Sequence, residues 1–120
     1  MQKLFHQHLL IKAYVNNAPS DTMAVEEWLE DLVQKIGMKV VIPARAVNVV
    51  TPGNSGPTAQ VGLETSHAAL HIWNEQTPHM LQMDVYSCKS FDTDAVLEKI
   101  KEWDLITYES MTIDRNDYFV

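Results

Sequence analysis

The amino-acid sequence predicts an α+β fold, a two-layer sandwich in which two helices pack on one face of a mostly antiparallel sheet. Two segments have apolar residues at helical spacing, and short segments before, between and after them have the apolar or alternating pattern of strands. No linker rich in Pro, Gly or Ser divides the chain. We therefore interpret residues 1–120 as one domain, whose 46% hydrophobic content is enough for a single small core.

The first half of the chain predicts a strand, a helix and further strands. Residues 4–15 are rich in Leu, Ile and Tyr and partly alternate, which is typical of a strand. After a turn over residues 16–21, Ser20 or Asp21 can cap a helix by accepting hydrogen bonds from its first N–H groups. Gly37 is expected just past the end of this helix. Its inward stripe consists of Val25, Trp28, Leu29, Leu32, Val33 and Ile36.

The remaining elements follow from apolar runs separated by turn residues. Strands are expected over residues 38–42, 46–50, 61–63, 68–73, 81–88 and 106–113. Asp92, Thr93 or Asp94 can cap a second helix, which turns Val96, Leu97, Ile100 and Trp103 inward. The last residues, 117–120, receive no assignment.

Composition and charge exclude some classes of function. The formal net charge of −7 argues against a nucleic-acid partner, which needs a basic surface, and is compatible with a cationic small-molecule substrate. No apolar run approaches the roughly 20 residues that span a bilayer, and the first residues lack the apolar core of a secretory signal. The single cysteine, Cys88, excludes an internal disulfide and favours a reducing compartment. We therefore expect a cytoplasmic protein without a membrane partner.

Polar and nucleophilic side chains interrupt two neighbouring apolar segments. Residues 65–73 are Thr-Ser-His-Ala-Ala-Leu-His-Ile-Trp, and residues 84–88 are Asp-Val-Tyr-Ser-Cys. Burial of a polar group costs free energy unless the group is paired. We therefore expect these side chains to lie in a sheltered place, with either a structural partner or a chemical role.

The order of these motifs resembles the adenosylmethionine decarboxylase proenzymes in their short bacterial and archaeal form. That family carries Glu-Ser-His, a second histidine, a Trp-Pro-Glu turn, and then Asp-Val-aromatic-Ser/Thr-Cys-Gly. The matching residues are Thr65-Ser66-His67, His71, Trp73-Asn74-Glu75 and Asp84 to Cys88, preceded by His8-Leu9-Leu10 and the loop from Pro52 to Gly56. The resemblance extends from about His8 to Arg115.

The resemblance implies a specific chemistry. Decarboxylation of an amino acid leaves a carbanion that needs an electron sink, which a cofactor normally supplies. The implied sink is a pyruvoyl group that forms from Ser66 when the chain cleaves itself between Thr65 and Ser66. The other implied roles are proton transfer by His71, assistance to cleavage by Ser55, reprotonation of the product by Cys88 and binding of the substrate ribose by Glu75. No bound metal is expected, because His6, His8 and His79 are too scattered along the sequence for metal-ligand spacing.

The implied activity is decarboxylation of S-adenosylmethionine for polyamine and spermidine biosynthesis, and the chain is accordingly interpreted as an enzyme. The resemblance also implies a homodimer with active sites near the interface between protomers. Departures from the family pattern leave two alternatives open. Val47, Val49 and Val50 stand near the place where the family has an aromatic that contacts the substrate, which motivates the first alternative. Thr65 replaces the family glutamate and Lys89 replaces the glycine after the cysteine, which motivates the second. The alternatives are a pyruvoyl-dependent arginine or ornithine decarboxylase, and an unprocessed, non-catalytic paralogue that binds a metabolite or regulates a partner subunit.

Each site residue also has an ordinary explanation when it is taken alone. Ser66 would then be a strand serine, His71 a hydrogen-bonded core histidine and Cys88 a small buried apolar residue. His67 is interpreted as structural or interfacial, because the side chains of successive strand residues point to opposite faces. His6 and His8 alternate on one strand but are not expected to hold a metal.

Overall fold

The computed structural model describes residues 6–118, and within this range it has the predicted α+β architecture. The elements are β1 (Gln7–Val15), α1 (Thr22–Lys35), β2 (Val40–Val49), β3 (Gly56–Leu63), β4 (His67–Trp73), β5 (His79–Ser87), α2 (Thr93–Ile100) and β6 (Leu105–Asp114). Short 3-10 turns follow α2 at Lys101–Trp103 and β6 at Arg115–Tyr118. All neighbouring strands are antiparallel, in the order β2-β3-β4-β5-β1-β6.

Both helices begin at the type of cap that the sequence predicts. The side chain of Asp21 accepts a hydrogen bond from the N–H of Met23, and the side chain of Asp92 does the same for the N–H of Asp94. Gly37 has a φ of 81°, a conformation that a glycine tolerates without steric cost, and it follows the end of α1. The predicted stripe of α1 is buried apart from Ile36, which is partly buried.

One face of the sheet carries the core. Alternate strand residues point toward the helices and are buried there: Leu9, Ile11, Ala13, Val15, Ala59, Val61, Leu63, Ala68, Leu70, Ile72, Leu81, Met83 and Val85. The stacked rings of Trp28 and Trp103, 3.9 Å apart, join the segments around α1 and α2. The intervening strand residues point to the other side, which we call the open face, because the described helices do not cover it. A groove of about 890 Å³ runs along this face.

The prediction of two strands between residues 38 and 50 was wrong, because β2 is a single edge strand. Its pairing with β3 shifts between Val40 and Ile42 and again between Ile42 and Arg45. Pro43, which has no N–H to donate to the neighbouring strand, lies within the second irregularity. Carboxylates of α1 then satisfy N–H groups of this strand: Glu30 accepts from Ala44 at 2.8 Å and Glu26 from Ala46 at 2.9 Å.

The strand predicted over residues 61–63 is longer than expected and begins at Gly56. This residue has a φ of 139°, and a Cβ there would lie 1.8 Å from the carbonyl oxygen of Ile72. Only a glycine allows the loop to approach β4 so closely, and pairing on both sides then extends the strand. Residues 4 and 5 of the predicted first strand, and residues 119 and 120 of the unassigned tail, lie outside the described residues.

Candidate active site

The hairpin between β3 and β4 brings the predicted cleavage site to Cys88 at one end of the sheet. The hydroxyl oxygen of Thr65 lies 2.8 Å from Sγ of Cys88 and 3.4 Å from the hydroxyl oxygen of Ser66. The carbonyl of Ser66 accepts a hydrogen bond from the N–H of Leu63, which closes the turn. Thr65 and Ser66 border a cavity of about 370 Å³, the Ser66 pocket, lined by Gly37, Met38, Lys39, Leu63, Glu64, Thr65, Ser66 and Lys89.

Two lysines give the Ser66 pocket positive charge. Lys89 reaches the end of α1, where its ammonium donates to the carbonyl of Gly37 at 3.3 Å. Lys39 lies just before β2, with its ammonium 3.9 Å from the carboxylate of Glu64. Lys89, which stands where the family pattern has glycine, therefore occupies a defined position and caps a helix end, where a cation is favourable.

A second group of predicted residues, the His71 cluster, lies at the other end of β4. Nε2 of His71 is 2.9 Å from the carbonyl oxygen of Asn54, and its Nδ1 is 3.0 Å from the hydroxyl of Thr58. Because a carbonyl only accepts, Nε2 carries the ring proton and Nδ1 accepts from Thr58. The indole of Trp73 packs edge-on to His71 and donates to the side-chain oxygen of Asn54 at 3.0 Å.

Ser55 and Glu75 belong to this same His71 cluster. The carboxylate of Glu75 accepts from the backbone N–H of Ser55 at 2.8 Å, while the hydroxyl of Ser55 donates to the carbonyl of Thr51 at 3.2 Å. The loop serine, the histidine and the carboxylate that the sequence singled out are therefore neighbours. Their close approach depends on Gly56, since a side chain there would collide with β4.

A single chain does not bring these two groups together. His67 and His71 are four residues apart on an extended strand, so the Ser66 pocket and the His71 cluster are separated by about 13 Å. The expectation of a sheltered site was also wrong for one chain, because Thr65 and Glu75 are exposed and Ser66, His71 and Cys88 are only half-buried. The side chains occupy turns and the open face, where no element of the described chain covers them.

A third group was missed by the sequence reasoning. His67, as expected, does not share the Ser66 pocket; it lies on the open face, with Nε2 3.2 Å from a carboxylate oxygen of Asp84. His8 contacts the same oxygen at 2.9 Å. Strand alternation places all three side chains on one face, but their meeting depends on the order of β4, β5 and β1 in the sheet, which alternation does not reveal.

Comparison with known families identifies the family of the chain. The family model described as S-adenosylmethionine decarboxylase matches residues 7–116, which include all three groups. The chain belongs to the S-adenosylmethionine decarboxylase family. The resemblance inferred from the order of the motifs is therefore confirmed.

A solved structure shares the fold of this family member. The adenosylmethionine decarboxylase from Aquifex aeolicus superposes with a TM-score of 0.72 over 94% of this chain and 92% of that chain, at 20% sequence identity. No curated protein matches the sequence significantly. Among residues 6–118, no helix is long and apolar enough to cross a membrane.

Proposed function

We propose that this family member is a cytoplasmic, pyruvoyl-dependent S-adenosylmethionine decarboxylase that cleaves itself between Thr65 and Ser66 and serves polyamine biosynthesis. The observation that carries the proposal is the contact of Thr65 with both Ser66 and Cys88, at 3.4 and 2.8 Å, beside a pocket in a chain of this family. Residues 1–120 act as a single domain in this proposal.

Self-cleavage uses groups that the hairpin already holds. The hydroxyl oxygen of Ser66 attacks the carbonyl carbon of Thr65, and the peptide C–N bond is replaced by an ester. Elimination then breaks the bond between this oxygen and Cβ of Ser66, which leaves Thr65 with a carboxylate and the second fragment with a dehydroalanine. Addition of water and loss of ammonia leave a pyruvoyl group. When formed, this group supplies the ketone that accepts electrons as carbon dioxide departs.

The surrounding side chains have roles that suit their chemistry. Cys88 lies within reach of the cleavage site, and its thiol can return a proton to the product carbon. Lys39 and Lys89 give the pocket a positive rim that favours a negatively charged substrate group. In the His71 cluster, Glu75 offers carboxylate oxygens to the ribose hydroxyls of a nucleoside.

Completion of the site requires a second copy of the chain. His71 and Ser55 lie too far from Ser66 to act on it within one protomer. A twofold axis parallel to the open face and perpendicular to β4 would stack the two open faces with the copies of β4 antiparallel, so that the His71 cluster of one protomer meets the Ser66 pocket of its partner. We therefore propose a homodimer with two shared active sites, in which His71 and Ser55 assist cleavage of the partner chain.

Intact-mass spectrometry of the purified chain tests self-cleavage. The wild type should give two fragments, residues 1–65 and 66–120, and a carbonyl-reactive hydrazide should label only the second. Ser66→Ala should stay whole and unlabelled. If the wild type is a single species near 13.7 kDa after long incubation, the non-catalytic alternative replaces this proposal.

Mixing two inactive variants tests the shared site. Ser66→Ala and His71→Ala should each stay whole when expressed alone. Co-expressed, they can form a heterodimer in which one site has both an intact Ser66 and an intact His71, and the His71→Ala chain should then be cut. Absence of cutting in the mixture, with heterodimer formation verified by mass, would contradict a site shared between protomers.

A substrate panel separates the remaining alternative. Release of carbon dioxide from carboxyl-labelled S-adenosylmethionine should exceed release from arginine or ornithine by orders of magnitude. Release from arginine or ornithine alone would assign the chain to the other pyruvoyl-dependent class. The same panel on Ser66→Ala gives the background.

A further inference from the structure

We propose that His8, His67 and Asp84 form a binding site for a divalent transition metal of the zinc class. The three side chains project from adjacent strands, β1, β4 and β5, onto the open face. His8 and His67 both pair across the sheet with Tyr86, so Asp84, two residues earlier on β5, lies diagonally between them. The strand pairing therefore fixes the position of all three donors on a rigid sheet.

The distances between the donor atoms suit a metal ion. One ligand atom from each residue lies within 4.8 Å of the other two. The same oxygen of Asp84 is 2.9 Å from Nε2 of His8 and 3.2 Å from Nε2 of His67. Zinc binds histidine nitrogen and carboxylate oxygen at about 2.1 Å, which puts neighbouring ligand atoms about 3.4 Å apart in a tetrahedron. Small side-chain rotations reach this geometry without movement of the strands.

Solvent access and charge also favour a cation. The side chain of His67 is 45% exposed, that of Asp84 30% and that of His8 15%, so an ion can reach them from the groove of a single protomer, before the proposed dimer forms. The carboxylate of Asp84 lies between two imidazoles. Each imidazole is a neutral ligand when its metal-binding nitrogen carries no proton. The set of two imidazoles and one carboxylate leaves a fourth tetrahedral position for water or for another ligand.

Arg115 lowers the metal affinity of this site in our proposal, because it donates to a ring nitrogen of His8. Its guanidinium lies 3.3 to 3.4 Å from Nδ1 of His8, and since arginine only donates, the metal-free ring keeps its proton on Nε2. Metal binding at Nε2 requires the neutral ring to carry its proton on Nδ1, which can then no longer accept, so the arginine contact must open. This contact is long, and the guanidinium also lies 3.7 Å from the ring centroid of Tyr86, where it can stay.

Two imidazoles and one carboxylate have different affinities for different metal ions. Two imidazole nitrogens favour zinc, nickel, cobalt or copper, whereas magnesium and calcium prefer sites built from oxygen. The sequence predicted no metal, because the histidines are not at metal-ligand spacing along the chain. The fold brings two of them together with Asp84. Bound metal would link β1, β4 and β5 next to the Ser66 hairpin, and it requires no cleavage of the chain.

Isothermal titration with zinc chloride tests the site on the untagged full-length chain after removal of metals with a chelator. The wild type should bind one zinc ion per chain with a micromolar or lower dissociation constant. His67→Gln and Asp84→Asn should each weaken binding at least about tenfold, because each removes a ligand. Arg115→Gln should bind more tightly than the wild type. Magnesium chloride should give no saturable heat at this site.

His71→Gln is the matched control, because it changes the same residue type on the same strand and face outside the donor set; its zinc affinity should be that of the wild type. Ser66→Ala should also bind zinc normally, which separates this result from the outcome of the cleavage experiment. X-ray absorption of the zinc-loaded wild type should show two imidazoles and oxygen donors, a readout that needs no variant. Absence of zinc binding, a sulfur ligand, or unchanged affinity in both His67→Gln and Asp84→Asn would overturn the proposal.

Discussion

The two faces of the sheet differ in what covers them. On the helix side, the residues of β1, β3, β4 and β5 are mostly buried, and the two buried polar side chains of these strands are paired: Gln7 exchanges hydrogen bonds with the backbone of Phe91, and Ser87 accepts from the N–H of Lys89. On the open face, histidines, a carboxylate and a groove lie beside apolar side chains such as Leu10, 39% exposed, and Met111, 61% exposed. The chain's own helices cover these four strands on the first face, whereas the described helices leave the second face open.

The helix side therefore contributes most to the stability of the fold, whereas the open face carries candidate functional groups. Because strand side chains alternate, a substitution on the open face leaves the core residue next to it in place. The chain can therefore vary residues such as those around His67 without repacking the helices. The contrast can be tested by changing matched residues on the two faces.

The largest effect is expected from a cavity on the helix side. Leu81 is fully buried, and Leu81→Ala should lower the free energy of unfolding by about 2–5 kcal/mol through lost apolar burial and the remaining cavity. Leu10→Ala, on the open face of neighbouring β1, should cost less than about 1 kcal/mol in monomeric protein. Urea unfolding at low protein concentration measures both. Equal losses would show that the open face is also part of the monomer core.

A charge on the open face should act on assembly instead of on folding. Met111→Asp places a carboxylate in the proposed dimer interface and should convert the dimer to a monomer, which sedimentation velocity detects. Self-cleavage should be lost with it, although Met111 does not line the Ser66 pocket. Met23→Asp is the control, because Met23 is 66% exposed on α1 in the other layer. A Met111→Asp protein that remains dimeric would exclude this face as the interface.

The smallest effect concerns an ion pair on the helix side. Lys99, only 7% exposed, lies 2.8 Å from Asp31 and 3.0 Å from Glu102, and the hydrogen bond from Lys99 lowers the pKa of Asp31 below its usual 3.8. A lowered pKa stabilises the folded state above the unfolded value, and this contribution is lost as the pH falls through the folded value. Asp31→Asn should therefore destabilise the protein at neutral pH, by less than Leu81→Ala does.

The pH dependence is the check on this ion pair. The difference in unfolding free energy between wild type and Asp31→Asn should be constant near neutral pH and shrink as the pH falls below 3.8. Thermal unfolding across that range measures the difference. A difference in unfolding free energy that stays constant down to the lowest pH would mean that the charge of Asp31 does not contribute to stability.

Local patterns predicted most of the fold because their physical causes are local. Helix capping by Asp21 and Asp92 depends on residues within one turn, and the stripe of α1 depends on spacing alone. The errors lie where pairing overrides propensity. Two strands were expected over residues 38–42 and 46–50, but β2 runs through Pro43 with register shifts, and Gly56 was expected in a loop although it begins β3.

For the candidate site, too, the sequence predicted local features but not which distant side chains meet. The order of Ser66, His71 and Cys88 along the chain was enough to indicate the family, which the family comparison confirmed. Their roles remain predictions. Residues 65–73 form one strand with its preceding turn, so sequence proximity suggested a single cluster, whereas the extended backbone carries Ser66 and His71 to opposite ends.

By itself, the sequence determined the α+β class, the helix starts and the family, because these depend on periodicity, capping and the order of motifs; the second helix ends at Ile100, before the Trp103 that was expected in it. Only the tertiary structure decided which side chains meet. Contacts between Thr65 and Cys88, or between His8, His67 and Asp84, join residues that are distant along the chain. Strand order and register create such contacts, and both result from the packing of the whole sheet against its helices.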